Sequence, residues 1–241
     1  MIFNICSGKD FTKVIPSFTF KVGDTTYTND GTAKTETGIY ELTNDGTSGN
    51  QTNWTLKLLK SGTFTATRAT PKIDVGCVGA GGNGAGGGSQ VGGKGGNGGE
   101  VKTSYGVTVD RDKAYTVTVG TSQGNTSAFG TTANGAGGAA GGNGATSSGV
   151  YGSTNATKGA DGTSIFGSSI LYGAGGGGGA ATMDNVTGPA AAGGTTGGGA
   201  GAGGAAAGNG TTPGAGGGGG NNWGRGPGTG ADGIVIIRNA R

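Results

Sequence analysis

The chain has 241 residues, 64 of them glycine, no histidine and a formal net charge of +3. All but 8 of the glycines lie after Gly76, which excludes an ordinary side-chain core there, because glycine has nothing to bury and loses the most backbone freedom on ordering. The missing histidine removes the commonest general base and every histidine-dependent triad, and no apolar run approaches the roughly 20 residues that span a bilayer.

Residues 17–22 (SFTFKV), 25–28, 38–43 (GIYELT), 54–59 (WTLKLL) and 63–67 (TFTAT) are rich in β-branched and aromatic residues, which predicts strands. Turn signals separate them at Gly23-Asp24, Asn29-Asp30-Gly31, Asn44-Asp45-Gly46 and Ser61-Gly62. Further strands are predicted at 72–78, 100–109, 114–119, 164–172 and 233–238 (GIVIIR). No stretch keeps a helical period, so the expected class is all-β. The last strand is so apolar that it is expected to complete a sheet begun by the early ones rather than stand exposed. The expected division is an N-terminal β attachment segment over 1–60, then a glycine-rich β-sandwich with its glycine bundle over 61–241.

The glycine runs admit two readings, a disordered tail or backbone packed on backbone. Collagen is excluded, since glycine changes register, as at Gly86, Gly87, Gly88 and then Gly92 and Gly93, and the chain has 5 prolines. The expected alternative is a packed bundle of polyglycine-II helices, extended and threefold, anchored on a small β-sandwich scaffold. Such a helix has no internal hydrogen bonds, so every N–H and C=O must find a partner on a neighbouring segment.

Little in the sequence carries chemistry. Between Ala114 and Gly224 only Lys158, Asp161 and Asp184 are charged, too few to displace counterions from nucleic acid. Asp110 and Asp112 flank Arg111 beside Lys113, which reads as a solvated hairpin turn between two strands. The run Gly87 to Lys94 imitates a phosphate loop, but Gly95 stands where the magnesium-binding Ser or Thr belongs. Cys6 and Cys77 read as two free thiols, with a disulfide or zinc pair as the alternative. The start, MIFNICSGKDF, lacks the apolar segment and cleavage site of a signal peptide. No catalytic residue, metal site or cofactor is expected.

In order along the chain stand Phe18-Thr-Phe, the segments 38–46, 53–65 and 73–82, Tyr115-Thr-Val-Thr-Val-Gly120, the segments 124–130 and 171–179, and Gly230-Ala-Asp-Gly-Ile-Val-Ile-Ile-Arg-Asn239. This order resembles the glycine-rich domain proteins encoded in tail modules of phages and prophages of Gram-positive gut bacteria. In composition it is similar to the glycine-helix adhesins at the tips of some phage tail fibres. The resemblance implies a non-enzymatic virion component, assembled in the host cytoplasm, at the host-facing end of the tail. Its implied partners are other tail or baseplate proteins, a host cell-wall glycan or surface protein, and further copies of the chain as a homo-oligomer. Receptor-binding candidates are the non-glycine interruptions: Tyr151 and Asn155 within 146–158, Met183 and Asn185 within 183–186, and Asn222, Trp223 and Arg225 within 221–225. A cap over the bundle's end is the other reading of Trp223. A purely architectural tail subunit remains the alternative, and a glycine bundle that binds ice is a third reading, against which the broken threefold register speaks.

Overall fold

The computed structural model describes residues 15–49, 51–68, 72–141, 146–148, 152–183, 186–187, 190–203 and 205–241. Among them there is no helix. In chain order the strands are β1 (Ser17–Val22), β2 (Thr25–Asp30), β3 (Lys34–Glu36), β4 (Tyr40–Ser48), β5 (Gln51–Leu58), β6 (Gly62–Ala66), β7 (Ile73–Val78), β8 (Val101–Val107), β9 (Ala114–Thr118), β10 (Thr126–Ala128) and β11 (Thr131–Ala133). There follow three two-stranded hairpins, β12 (Thr146–Ser148) with β13 (Gly152–Thr154), β14 (Thr163–Ser164) with β15 (Leu171–Tyr172) and β16 (Thr182–Met183) with β17 (Val186–Thr187), and last β18 (Ile234–Asn239). Two sheets have six strands each, in the orders β11-β10-β9-β6-β1-β2 and β3-β4-β5-β18-β7-β8. The final strand thus sits between an early strand and β7, the place its apolar sequence predicted.

The chain divides into two compact units: Met1–Val75, Ser104–Val117 and Ile236–Arg241 form one, Gly76–Thr103 and Thr118–Val235 the other. Sheets recruit strands from distant parts of the sequence, so the first unit needs residues from both ends of the chain.

The first unit is a sandwich built on two-residue alternation. In β1 and β6, Phe18, Phe20, Phe64 and Ala66 are buried, with Phe18 opposite Ala66 and Phe20 opposite Phe64. In β4 and β5, Tyr40, Leu42, Trp54, Leu56 and Leu58 are buried, with Tyr40 opposite Leu58 and Leu42 opposite Leu56. The layers meet at Phe18 and Tyr40, whose rings stand edge to face with centroids 5.3 Å apart, while Phe64 stacks on Phe18 at 5.1 Å. Between β18 and β7 lies a mostly buried ion pair: Arg238 Nε donates to Asp74 Oδ2 at 3.0 Å, and Gly106 N–H donates to Asp74 Oδ1 at 3.1 Å. The turn through Asp110 and Asp112 is exposed and carries the pairs Lys113–Asp110 and Arg111–Asp112, each at 3.0 Å. It is not the hairpin expected, because β8 and β9 belong to different sheets and the turn crosses from one to the other.

The second unit has few side chains to interdigitate, and backbone takes their place. Residues 173–181 and 214–221 are buried at every position. In 214–221 successive N–H groups point to different neighbours: Gly216 and Gly219 donate to Ala174 and Gly177 (2.7 and 2.9 Å), Gly217 and Gly220 to Gly82 and Ala85 (2.9 and 2.8 Å), and Gly218 to Gly208 (2.9 Å). Two of these neighbours, 173–181 and 79–87, are met again after three residues, whereas a β-strand bonds its partners in one plane. Residues 92–100 follow the same count in burial, two buried glycines and then an outward Lys94, Asn97 or Glu100. Glycine register is therefore kept within that segment. A Cβ on Gly218 would collide with the carbonyl oxygen of Ala200, and one on Gly96 with that of Gly82. Only a residue without a side chain fits there.

The single strand expected over 164–172 is instead the hairpin β14–β15. Phe166 and Gly167 take positive φ (54° and 76°) and reverse the chain, so that Thr163 pairs with Tyr172 and Ser164 with Leu171. The Cys77 side chain is fully buried and unpaired with any other cysteine, and its Sγ donates to Thr131 O at 3.6 Å. Burial pushes its pKa up to about 11. Cys6 lies outside the described residues.

Candidate functional site

Hydrogen-bond directions decide which turns of the glycine unit share an end. Segments 79–87 and 92–100 are antiparallel, since Gly79, Gly82 and Ala85 donate to Glu100, Asn97 and Lys94. Segments 173–181, 198–203 and 214–221 are mutually parallel, as Gly199 and Ala202 donate to Gly216 and Gly219 while Gly177 and Ala180 donate to Gly199 and Ala202. They are also parallel to 79–87, by the bonds of Gly217 and Gly220 to Gly82 and Ala85. Segment 134–141 runs the same way, because Glu100 donates to Asn134 and Gly98 to Ala139. The C-terminal ends of these five parallel segments, at residues 87, 141, 181, 203 and 221, therefore all lie at one end of the unit.

In the sequence, the receptor candidates follow directly on the segments that end at 141, 181 and 221. Tyr151 and Asn185 lie outside the described residues. Asn155 is exposed, Met183 ends the short strand β16, Asn222 is half-buried and Arg225 is exposed. Trp223 is 59% exposed, so it is not a buried cap.

Two further residues complete the site. Asn221 is buried, and its side chain organises the turn. The N–H groups of Trp223 and Arg225 both donate to Asn221 Oδ1 at 3.0 Å, and Asn221 Nδ2 donates to Gly203 O at 2.7 Å, holding a neighbouring connection. Gly224 takes φ of 81°, which lets the turn close. The signal was present in Asn221-Asn222-Trp223-Gly224, since asparagine at the head of a turn bonds backbone two residues on. The other residue is Val91, 44% exposed, in a tight turn where Gly88 and Val91 donate to each other at 2.9 and 3.2 Å. That turn occupies the stretch imitating a phosphate loop, and Lys94 points outward beyond it.

Among its described residues the site is almost uncharged, with Arg225 an exposed cation. Along the side of the unit, the Lys158 ammonium and the backbone N–H and hydroxyl of Thr195 hold the Asp161 carboxyl well below the usual carboxylate range. Among the described residues no group of three or more His, Cys, Asp or Glu comes together. The arrangement can present an aromatic ring, a branched aliphatic side chain and amides on a framework fixed by backbone bonds, which suits contact with the apolar faces and hydroxyls of a sugar.

In comparisons with known proteins, no family model matches the chain and no curated relative matches it at a significant level.

Proposed function

We propose that the glycine unit is a bundle of polyglycine-II helices, and that the protein is a non-enzymatic component of a phage tail that uses the end of this bundle carrying Trp223 to bind a host surface glycan. The return to the same neighbour every third residue supports the helical part, since a polyglycine-II helix has three residues per turn and no internal bonds. The observation that carries the binding part is Trp223, which stays exposed although Asn221 fixes its backbone. An aromatic ring held out to solvent on a pre-ordered turn loses little further entropy on binding. The virion assignment rests on the order of motifs from Phe18 to Asn239 and their likeness to tail-module proteins.

Binding of the isolated protein to host cells tests this. Trp223→Ala is expected to weaken binding by about 1 to 3 kcal/mol and to leave the melting temperature nearly unchanged, because the ring is mostly in water. Absence of host-cell binding by the unmodified protein, together with tight association with another tail protein, would replace the adhesin reading with the architectural one.

A further inference from the structure

Five Asn–Gly pairs occur in the chain, of which Asn143–Gly144 lies outside the described residues. Asn–Gly is the dipeptide most prone to spontaneous deamidation, because glycine leaves its own nitrogen unshielded. In the other four pairs that nitrogen is engaged. Gly84 N–H donates to Gly228 O at 2.9 Å, Gly98 to Ala139 O at 2.8 Å, Gly135 to Asn125 Oδ1 at 3.0 Å and Gly210 to Thr229 O at 2.8 Å. Three of the carboxamides are engaged as well: Asn83 Oδ1 accepts Gly230 N–H at 2.9 Å, Asn97 Oδ1 accepts Gly141 N–H at 3.0 Å, and Asn209 Oδ1 accepts Thr229 N–H at 2.9 Å.

We propose that Asn83, Asn97, Asn134 and Asn209 are modification sites that the fold holds closed and that unfolding opens, so that a chain left unfolded loses the ability to fold again. In the reaction the glycine nitrogen attacks the asparagine Cγ, forming a C–N bond and closing a five-membered imide. The bond from Cγ to the amide nitrogen breaks, and ammonia leaves with the proton that the glycine nitrogen gave up. Water then opens the ring to aspartate or isoaspartate, with no oxidant or reductant involved. In the folded unit the attacking N–H would first have to abandon its acceptor, which requires local opening.

Packing makes the labile dipeptides unavoidable. A Cβ on Gly84 would collide with Gly218 O, on Gly98 with Gly173 O, on Gly135 with Gln123 O and on Gly210 with Ala215 O. The glycine cannot be exchanged, and at Asn83, Asn97 and Asn209 the asparagine supplies an acceptor to a neighbouring segment. Isoaspartate puts one extra carbon into the main chain, and a segment that meets the same neighbour every third residue cannot absorb it. The inference does not depend on the virion reading.

The test is to hold the native protein and the same protein in concentrated guanidinium chloride at one mildly alkaline pH and temperature. Peptide mapping then follows the asparagine-to-aspartate mass change at each site, and refolding yield is measured on dilution. Modification is expected to run more than about tenfold faster in the denatured chain at all four sites, with refolding yield falling in step. A smaller ratio at any of the four sites, or full refolding of modified chains, would overturn the proposal.

Discussion

The two units use side chains in opposite ways. In the sandwich, stability comes from what the side chains fill: Phe18, Phe20, Leu56, Leu58 and Phe64 close an apolar layer from both sheets. In the glycine unit it comes from what is missing, since carbonyl oxygens such as Ala200 O and Gly82 O occupy the places where a Cβ would stand. A side-chain core draws on the hydrophobic effect and can relax around a lost atom. A backbone core relies on hydrogen bonds of roughly 1 kcal/mol net each, set against roughly 1 to 2 kcal/mol per residue of ordering entropy, so it holds only when many segments pack together. The first kind suffers from atoms removed, the second from atoms added.

The contrast breaks first at Gly218. Gly218→Ala adds a single carbon, and because Gly218 is itself buried, bonds Gly208 and Gly228 and packs on Ala200 O, chemical unfolding is expected to show a loss of more than about 4 kcal/mol. Leu56→Ala, which removes three carbons from a fully buried sandwich site, is expected to cost about 2 to 5 kcal/mol by the same measurement. If Gly218→Ala proved the milder of the two, backbone packing would not be what limits the glycine unit.

Cys77 sharpens the comparison, being a side chain buried within the glycine unit. Its folded-state pKa is raised to about 11 from an ordinary 9.0, so the unfolded chain ionises first as pH rises. The contribution is fully present below the ordinary value and is lost as pH climbs through the folded one, on the order of 2 kcal/mol in total. Melting temperature measured across that window should fall more steeply for the natural protein than for Cys77→Val. Parallel curves would mean that the thiol is not held neutral by its burial.

The smallest expected effect is at Gly86, where an added Cβ meets nothing within 4 Å and the residue is exposed. Gly86→Ala should stay within about 1 kcal/mol of the natural protein in the same unfolding assay. A large loss there would show that glycine in this unit is needed for more than close approach.

The strands that bury large residues were legible in the sequence, because alternation in SFTFKV and WTLKL and the apolar run IVII state both the element and its burial. The short strands β3, β10 and β11, with sequences KTE, TSA and TTA, were not, since three small or charged residues carry no propensity signal. The glycine segments were legible as backbone that must pair, but not as to partner. A glycine has no side chain in which to encode its neighbour, and Gly217 meets Gly82 only through the closure of the whole unit. The period in Gly92-Gly-Lys-Gly-Gly-Asn-Gly-Gly-Glu100 was written in the sequence and masked by the irregular runs around it. Of the site, the exposed turn residues were legible from their composition, whereas Asn221 was hidden by its turn role and Val91 by its isolation among glycines.

The position of β18 between β5 and β7 carries a consequence for how the protein is made. Trp54 N–H donates to Asn239 Oδ1 across 185 residues of sequence. A nascent chain leaving the ribosome can pair β4 with β5 early, but it must then expose the open edge of β5 while the entire glycine region is translated. Closing so long a loop before any contact rewards it makes folding slow, and the waiting edge is a template for a neighbouring chain on the same messenger. Expression at low temperature or with fewer ribosomes per message favours the soluble product.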